Sequence, residues 1–406
     1  MYSLLLAIIY IAFVSLGLPD SLIGAGWPVM HRDLDVPVAF AGIVTMIIAG
    51  GTILSSLGSE RVTRRFGAGL VTAVSVGLTA AALVGFSVSG SFWMLCLWAI
   101  PFGLGAGAVD AALNNYVALH YAARHMNWLH SFWGLGASIS PFIMSYALTA
   151  ELGWSSAYLI VGLIQAALTF VLLISLPLWG KVNPLSPDDH ATDDEPSGKG
   201  TPHVPLARAL RIPGVVSILI AFFAYCALET TVILWASTWL VTDREVGAAT
   251  AAAFASLFLL GITAGRFLAG FFADRVGDRQ LIRGGFATVG LGVVLLALPV
   301  QTDAFALAGL VLAGLGCAPI YPAIIHSTPV NFGRRNSQAI IGIQMAAAYT
   351  GSTFAPPLFG ALSAWTGMWV FPLFLGALVV LGLLMSERLN RLVARHGPVG
   401  RPARTP

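Results

Sequence analysis

Twelve apolar stretches, each near the length of a bilayer crossing, constrain this chain more than any other feature. About 20 consecutive apolar residues cross a bilayer as an α-helix. Only 10% of the 406 residues are charged, against about 25% in soluble domains. The pattern predicts an all-α membrane protein with twelve transmembrane helices. The predicted spans are roughly 4–28, 38–57, 68–88, 92–119, 127–149, 155–179, 213–241, 248–272, 284–300, 304–330, 337–365 and 368–385.

The positions of Lys and Arg predict which side of the membrane each loop faces. If the N-terminus is cytoplasmic, 18 of the 21 Lys and Arg residues fall in cytoplasmic loops or the C-terminal tail. Only Arg32 and Arg244 fall in outside loops, and Arg266 lies within the eighth span. This bias favours a multi-pass protein of the inner membrane with both termini in the cytoplasm. The apolar first 19 residues have no basic region before them, so we expect a first span and not a cleaved signal.

Two stretches of the chain break the apolar pattern and divide it. Residues 181–208 are rich in Pro, Asp and Glu, and such a segment buries too little apolar surface to order itself. It is predicted to be a cytoplasmic linker between an N-terminal six-helix bundle (1–180) and a C-terminal one (209–390). The basic stretch 391–406 is predicted to be a cytoplasmic tail.

The two halves repeat each other at a nearly constant offset of 209 to 215 positions. Two parallel six-helix repeats around a site near the bilayer midplane are typical of secondary transporters. The sequence therefore predicts two pseudo-symmetric six-helix bundles. The matched pairs are Asp20 with Glu229, Gly67 with Gly277, Gly103 with Gly314, Gly105 with Gly316, Asp110 with Tyr321, Gly136 with Gly351, and Pro141 with Pro356.

Three carboxylates, Asp20, Asp110 and Glu229, stand inside these apolar runs. A charged side chain at the bilayer centre costs about 2.5–3.5 kcal/mol on insertion scales, so it is a functional candidate by default. Each also has a structural alternative: a place near the interface for Asp20, a bond that holds helices together for Asp110, and an ion pair for Glu229. Arg266 is the only basic residue within a span, and we expect it to lie too near the cytoplasm to pair with Glu229.

Polar and aromatic residues at helical spacing from these acids are further candidates for proton coupling and substrate binding. Trp27 follows Asp20 by two turns, and it is either a platform for a sugar ring or part of an interfacial aromatic belt. Asn114 follows Asp110 by one turn. Histidine can carry a proton near neutral pH, so His130 is either a relay partner of Asp110 or a core residue. The remaining candidates for substrate contact are Asn127, Tyr225, Tyr321 and Gln344.

Several function classes are excluded by what the sequence lacks. It contains no P-loop, His-rich metal cluster, nucleophile elbow or paired Cys motif. We therefore expect no enzyme activity, cofactor or metal, and we expect the energy for transport to come from an ion gradient. The basic residues do not cluster with a stacking surface, so nucleic acid is not an expected partner.

The loop between the eighth and ninth spans carries a motif that resembles the loop signature of the major facilitator superfamily. It reads Gly-Phe-Phe-Ala-Asp-Arg-Val-Gly-Asp-Arg over residues 270–279, and the resemblance extends over essentially the whole chain. The first copy, residues 58–67, has Arg64 in the position of the Asp. Such loops imply a role in gating on the cytoplasmic side, although they also fit a simple positive-inside bias. The gating candidates are Arg64, Arg65, Gly270, Asp274, Arg275, Gly277 and Arg279.

Four short segments are similar to the fucose–galactose–glucose:proton symporter branch of that superfamily. They are residues 17–20 leading to 27–28, 105–110 leading to 114, 127–134 and 225–229. In that branch, carboxylates of the first and fourth helices serve in proton coupling and sugar recognition. The resemblance implies these roles for Asp20 and Asp110 only.

The sequence thus predicts a monomeric proton-coupled symporter of a small sugar or polyol that works in the lipid bilayer by alternating access. Two other transporters stay open: a sodium-coupled sugar carrier and a proton-driven exporter of amphipathic compounds. A non-transporting membrane receptor is a third alternative, but a sensor does not need to keep acids buried on several helices.

Overall fold

An α-helix satisfies the backbone hydrogen bonds of each apolar run internally, as a chain inside a lipid bilayer requires. The computed structural model describes residues 2–37, 40–180, 206–246, 248–299 and 303–396, and these ranges contain helices and turns but no strand. The helices are α1 (Tyr2–Gly17), α2 (Leu22–Asp33), α3 (Ala41–Phe66), α4 (Ala68–Ser87), α5 (Phe92–His120), α6 (Ala123–Thr149), α7 (Gly153–Trp179), α8 (Leu206–Ala209), α9 (Val215–Thr242), α10 (Ala248–Val276), α11 (Asp278–Ala297), α12 (Asp303–Cys317), α13 (Ile320–Phe332), α14 (Arg334–Thr366) and α15 (Phe371–His396), with a 3-10 turn at Met368–Val370.

All twelve predicted spans coincide with helices, and the all-α membrane fold is confirmed. Within the described residues, ten segments are long and apolar enough to cross a membrane. The fifth and eleventh predicted spans, α6 and α14, are not among these ten. They contain 27 and 33 residues, so they are long enough, but their composition is more polar. These two helices occupy equivalent places in the two repeats and carry the candidates His130 and Gln344.

Two of the predicted spans are interrupted helices, which the sequence analysis did not anticipate. The first span breaks between α1 and α2 at residues 18–21, where turn bonds link the Asp20 amide to the Gly17 carbonyl and the Leu22 amide to the Pro19 carbonyl. The tenth span breaks between α12 and α13, and Pro319 occupies the N-cap of α13. Each break contains a proline, Pro19 or Pro319, which lacks the N–H for one helical hydrogen bond.

The described chain separates into two compact units, and each contains six spans. Unit 1 contains residues 1–120 and 128–203, and unit 2 contains residues 121–127 and 204–406. The short segment 121–127, at the start of α6, thus belongs to unit 2. Most of the predicted linker (181–205) and of the predicted tail (397–406) lie outside the described residues.

Glycines at matching positions of the two repeats let helices touch backbone to backbone within each unit. A Cβ on Gly103 would collide with the Ile48 carbonyl oxygen, and one on Gly314 would collide with the Phe258 carbonyl oxygen. Ile48 and Phe258 are 210 positions apart, so the partners repeat together with the glycines. The predicted internal repeat is therefore present in the packing, and two further sets of contacts follow it: Gly136 on Val14 with Gly351 on Phe223, and Gly105 on Ser75 with Gly316 on Gly285.

The two loop motifs, residues 58–67 and 270–279, end their helices in the same way. Gly67 after α3 has φ 82° and ψ 154°, and Gly277 after α10 has φ 82° and ψ 150°. Side chains other than glycine rarely adopt a positive φ of this kind. The sharp reversal between adjacent spans therefore depends on glycine at both positions.

This packing makes a prediction for Gly103→Ala. The added methyl group must displace the α3 backbone, and overpacking costs about 1–3 kcal/mol. Gly50→Ala is the matched control on α3, because a Cβ there would meet nothing within 4 Å. Alanine in a helix interior is more favourable than glycine by roughly 0.5–1 kcal/mol, so this control should be neutral or stabilised. Thermal unfolding of the purified protein in detergent measures both, and equal midpoints would contradict the close approach.

Candidate functional site

Asp20 lies in the break of the first span, and its carboxylate has a specific partner in unit 1. The Trp133 indole N–H, from α6, donates to Asp20 Oδ2 at 2.9 Å. Asp20 is nevertheless exposed, and Trp133 is half-buried. The acid is also within electrostatic range of Asp110. Asp20 is therefore an accessible carboxylate beside an accessible indole ring.

Asp110 begins a chain of hydrogen bonds that links two helices of unit 1. The Asn114 amide Nδ2 donates to Asp110 Oδ1 at 2.7 Å, one turn away on α5. The distance from His130 Nε2, on α6, to Asn114 Oδ1 is 3.2 Å. An amide oxygen only accepts, so Nε2 carries the proton in this contact. Asn114 and His130 are buried, whereas Asp110 is partly accessible.

The other two candidates of the first half, Trp27 and Asn127, have neighbours of their own. Trp27 is only 5% exposed and packs inside a hydrophobic cluster of unit 1 with Met144 and Trp154. Its ring therefore offers no open face for a sugar, and the geometry favours a packing role. Asn127, which belongs to unit 2, is buried and donates through Nδ2 to the Ala123 carbonyl at 3.1 Å.

Glu229 has a cationic partner, contrary to the expectation from the sequence. Arg266 Nη2 lies 3.2 Å from Glu229 Oε1 and 3.3 Å from the Tyr225 hydroxyl oxygen, all within unit 2. The expectation was wrong because α10 continues to Val276, beyond the predicted end of the eighth span. Arg266 lies ten residues before that end, which corresponds to about 15 Å along the axis. It therefore reaches the level of Glu229.

Several aromatic side chains pack together beside this pair, and one of them lies next to the break of the tenth span. The Tyr321 ring, in the first turn of α13, lies 6.2 Å from the Tyr225 ring and 4.6 Å from the Phe222 ring. The Tyr321 hydroxyl donates to Met345 Sδ at 3.3 Å. Gln344 is fully buried, and its Oε1 accepts from the Thr328 hydroxyl at 3.0 Å.

The predicted gating residues surround the glycine turns of the two loop motifs. Asp274 binds the segment 121–127: its Oδ1 accepts from the Arg124 backbone N–H at 3.0 Å, and its Oδ2 lies 3.4 Å from Arg124 Nε. Arg64 is half-buried at the end of α3, and the Arg65 guanidinium lies over the Phe66 ring. Gly277 forms the turn, and the others are placed as follows: Gly270 is buried on α10, while Arg275 and Arg279 are exposed.

The same end of unit 2 contains a second polar contact that the sequence analysis left unassigned. His326 Nδ1, on α13, lies 2.7 Å from Asp278 Oδ2, in the first turn of α11. His326 also interacts with the Tyr121 backbone. Two acids of the 270–279 motif thus bind groups that join the segment 121–127 to α11 and α13.

Trp133 and Arg266 are the two residues that sequence reasoning missed. Trp133 stands in the segment 127–134, but its bond to Asp20 depends on a helix–helix contact that helical spacing does not reveal. Arg266 had a usable signal, because a lone basic residue inside an apolar span requires a carboxylate or a polar cavity. Glu229 was the available carboxylate in the neighbouring span.

The Glu229–Arg266 pair makes a prediction for stability. Removing one charge of a buried pair leaves the other uncompensated and costs about 3–5 kcal/mol, whereas removing both is far less damaging. Glu229→Gln and Arg266→Gln should each lower the thermal midpoint, and the double variant should recover most of the loss. The more exposed pair Arg283–Glu387 is the control, with about 0–1 kcal/mol expected. Equal losses in both cycles would contradict a buried pair.

Solved structures of membrane carriers share this fold. A proton:xylose symporter, XylE, superimposes with a TM-score of 0.76 and 12% identity, covering 96% of this chain and 95% of that chain. The E. coli fucose:proton symporter FucP superimposes with a TM-score of 0.71 and 14% identity, covering 96% and 99%. At these identities the likeness concerns the fold.

Sequence relatives and a family model agree with the fold. "Bypass of stop codon protein 6" of Saccharomyces cerevisiae is 22% identical over 95% of this chain and 82% of its own length. The "probable nitrate/nitrite antiporter NarK1" of Thermus thermophilus is 26% identical over 80% of this chain and 79% of its own. The model of the Major Facilitator Superfamily matches residues 9–258 and 218–403, which together span nearly the whole chain. The chain is therefore a multi-pass membrane transporter, not an enzyme, and it belongs to the Major Facilitator Superfamily.

Proposed function

We propose that this transporter carries a small sugar or polyol together with protons, by alternating access, as a monomer in the inner membrane with both termini in the cytoplasm. The observation that carries the proposal is the chain from Asp110 through Asn114 to His130. It joins a partly accessible carboxylate to a buried imidazole inside an apolar bundle. A carboxyl group and an imidazole can each bind and release a proton, and the amide between them fixes their geometry.

Asp20 and Trp133 are the proposed contacts for the sugar in unit 1. A carboxylate accepts hydroxyl hydrogens, and an indole ring packs on the apolar face of a sugar ring. The Trp133 N–H binds Asp20 and so orients the acid beside the ring. Asp20 and Asp110 also interact electrostatically. A proton bound by one acid would therefore change the affinity of the other acid for its own ligand, proton or sugar. The sugar:proton symporters among the structural neighbours support this choice of substrate class.

The alternatives that the sequence left open make different demands on the acids. A sodium-coupled carrier would need a carboxylate free of cations, and Glu229 lies 3.2 Å from a guanidinium that repels a second cation. A proton-driven exporter of amphipathic compounds could use the same polar chain at Asp110, but it would not need the sugar contacts at Asp20 and Trp133. The sequence relatives carry names for varied substrates, nitrate and nitrite among them, so they leave the substrate open.

Uptake into proteoliposomes tests the proton coupling. With labelled sugars and an imposed potential of 100 mV, one coupled charge supplies about 2.3 kcal/mol. That is enough for roughly 50-fold accumulation, since about 1.4 kcal/mol corresponds to tenfold. Asp110→Asn should abolish accumulation while sugar exchange between the two sides persists, because the variant binds sugar but cannot release a proton.

His120→Gln is the matched control for variants of the proton chain. His120 is also on α5, but its Nδ1 contacts the Tyr116 carbonyl at 2.7 Å and it lies outside the chain. Accumulation that follows an imposed sodium gradient and ignores a proton uncoupler would favour the sodium-coupled alternative. Unchanged accumulation in Asp110→Asn would remove this residue from the coupling mechanism.

Asp20→Asn tests the sugar site separately. The amide keeps an acceptor for Trp133 but loses the charge that attracts hydroxyl hydrogens, so the KM for the sugar should rise by tenfold or more, in line with about 1.5–3 kcal/mol for a charged hydrogen bond. Asp33→Asn is the control, because Asp33 accepts the Trp154 indole N–H at the same 2.9 Å at the end of α2. The two variants should differ in KM and agree in thermal midpoint. Similar KM values would exclude Asp20 from the sugar site.

A further inference from the structure

The Arg266 guanidinium is a buried cation that uses only some of its N–H groups in hydrogen bonds. Arg266 is 4% exposed, and both of its polar contacts, to Glu229 and Tyr225, go through Nη2 at 3.2 and 3.3 Å. Its Nε has no hydrogen-bond partner among the described residues. A structural arginine normally presents two parallel N–H groups to a carboxylate, as Arg283 does to Glu387 at 2.7 and 2.6 Å. The Arg266 fork is therefore poorly matched to its present partner.

The two members of the pair also differ in access. The Glu229 side chain is 14% exposed, whereas that of Arg266 is 5% exposed. Glu229 is therefore the more accessible member of the pair, and a competing carboxylate would reach the guanidinium by taking its place. The positive end of α13, which begins at Ile320 beside the Tyr225–Tyr321 ring contact, adds to the positive potential there.

The charge balance of the pair restricts which substrate can accompany a proton to this site. With Glu229 ionised, the pair is neutral. If Glu229 takes up a proton, Arg266 keeps a positive charge inside the membrane, and a neutral sugar does not compensate it. Such an uncompensated charge is strongly unfavourable in a low-dielectric site. A substrate that carries one negative charge restores neutrality.

We propose that the substrate is the anion of a sugar acid, an aldonate or uronate, whose carboxylate takes the place of the protonated Glu229 on Arg266. This inference rests on the proposed function and narrows its substrate class. In the loaded state the substrate carboxylate accepts two N–H groups from the Arg266 fork, and Glu229 is neutral. The Tyr225 hydroxyl and the Tyr321 ring, which lie beside the pair in unit 2, are the proposed contacts for the rest of the sugar acid.

This exchange makes proton and substrate depend on each other at the site. A proton alone leaves a bare guanidinium, and an anion alone leaves two carboxylates on one cation. Only the two together, or neither, give a neutral pair. Each ligand therefore raises the affinity for the other, which is the coupling that a symporter needs.

The first experiment measures uptake into proteoliposomes at an inward pH gradient, with glucuronate, galacturonate and gluconate against glucose, galactose and glucitol. The wild type should take up at least one acid, and its neutral counterpart at least tenfold more slowly. Arg266→Gln should lower the affinity for that acid by roughly tenfold to a hundredfold, as expected for the loss of a charge-assisted fork. Arg283→Gln, which breaks the other Arg–Glu pair of unit 2, should leave uptake unchanged.

The second experiment measures binding by thermal shift and does not depend on transport. In the wild type, glucuronate should raise the thermal midpoint at pH 5.5 and have little effect at pH 8. In Glu229→Gln, the guanidinium lacks its partner at every pH, so glucuronate should raise the midpoint at both pH values, and glucose at neither. This variant keeps Arg266, and recovery of its stability by the anion shows that it is folded.

The outcomes separate the inference from the proposed function. Proton-coupled uptake of neutral sugars without the acids would overturn the inference and leave the proposed function intact. Equal uptake of an acid by Arg266→Gln and the wild type would also overturn the inference. If the wild type takes up neither class in proteoliposomes that hold folded protein, the proposed function fails too. A pH-independent shift in the wild type would exclude the exchange at Glu229.

Discussion

The cost of placing a charge in a lipid bilayer governs how this molecule treats its acids. A carboxylate at this depth must have a cation, a set of donors or an open polar space, because lipid supplies none of these. Asp20 has an indole donor and an open face, Asp110 has an amide donor and partial access, and Glu229 has a guanidinium. Three acids that look alike in the sequence are thus held in three different ways. Those differences are the basis for the different roles proposed for the three acids.

Glycine packing determines where these groups meet. Gly17 and Gly136 bring α1 and α6 together backbone to backbone, since a Cβ at either would collide with a carbonyl of the other helix. That contact sets Asp20, three residues after Gly17, beside Trp133, three residues before Gly136. The contact between Asp20 and Trp133 therefore depends on the close approach of α1 and α6. A larger residue at either glycine would separate the carboxylate from its indole without altering any polar group.

The sequence predicted what depends on periodicity and composition. The twelve spans, the repeat and the turn at Gly277 follow from local sequence patterns that do not depend on how the helices pack. The sequence did not predict the breaks at residues 18–21 and at Pro319, because Pro101 and Pro141 stand inside helices that continue. Helical spacing also did not predict that Trp27 packs inside its bundle or that Trp133 binds Asp20. Both contacts depend on how α1 and α2 pack against their neighbouring helices. The Arg266 pairing was missed because α10 continues four residues beyond the predicted end of the span, so Arg266 lies further from the end of its helix than expected.

The internal repeat shows why the two units differ in chemistry although they share a fold. Asp20 and Glu229 occupy matching positions, but the residue that matches Arg266, 210 positions earlier, is Ser56. Ser56 is fully buried, and its hydroxyl donates to the Gly107 carbonyl of α5 at 3.2 Å, whereas Arg266 pairs with α9. The same position of the repeat thus holds a neutral side chain in unit 1 and a cation in unit 2. Because a guanidinium cannot be neutralised by losing its proton, the unit that carries it needs an anion in every state, whereas the acids of unit 1 can be neutralised by protons alone. The proposals above follow this difference: protonation of Glu229 in unit 2 requires an anionic substrate, whereas protonation of Asp110 in unit 1 does not.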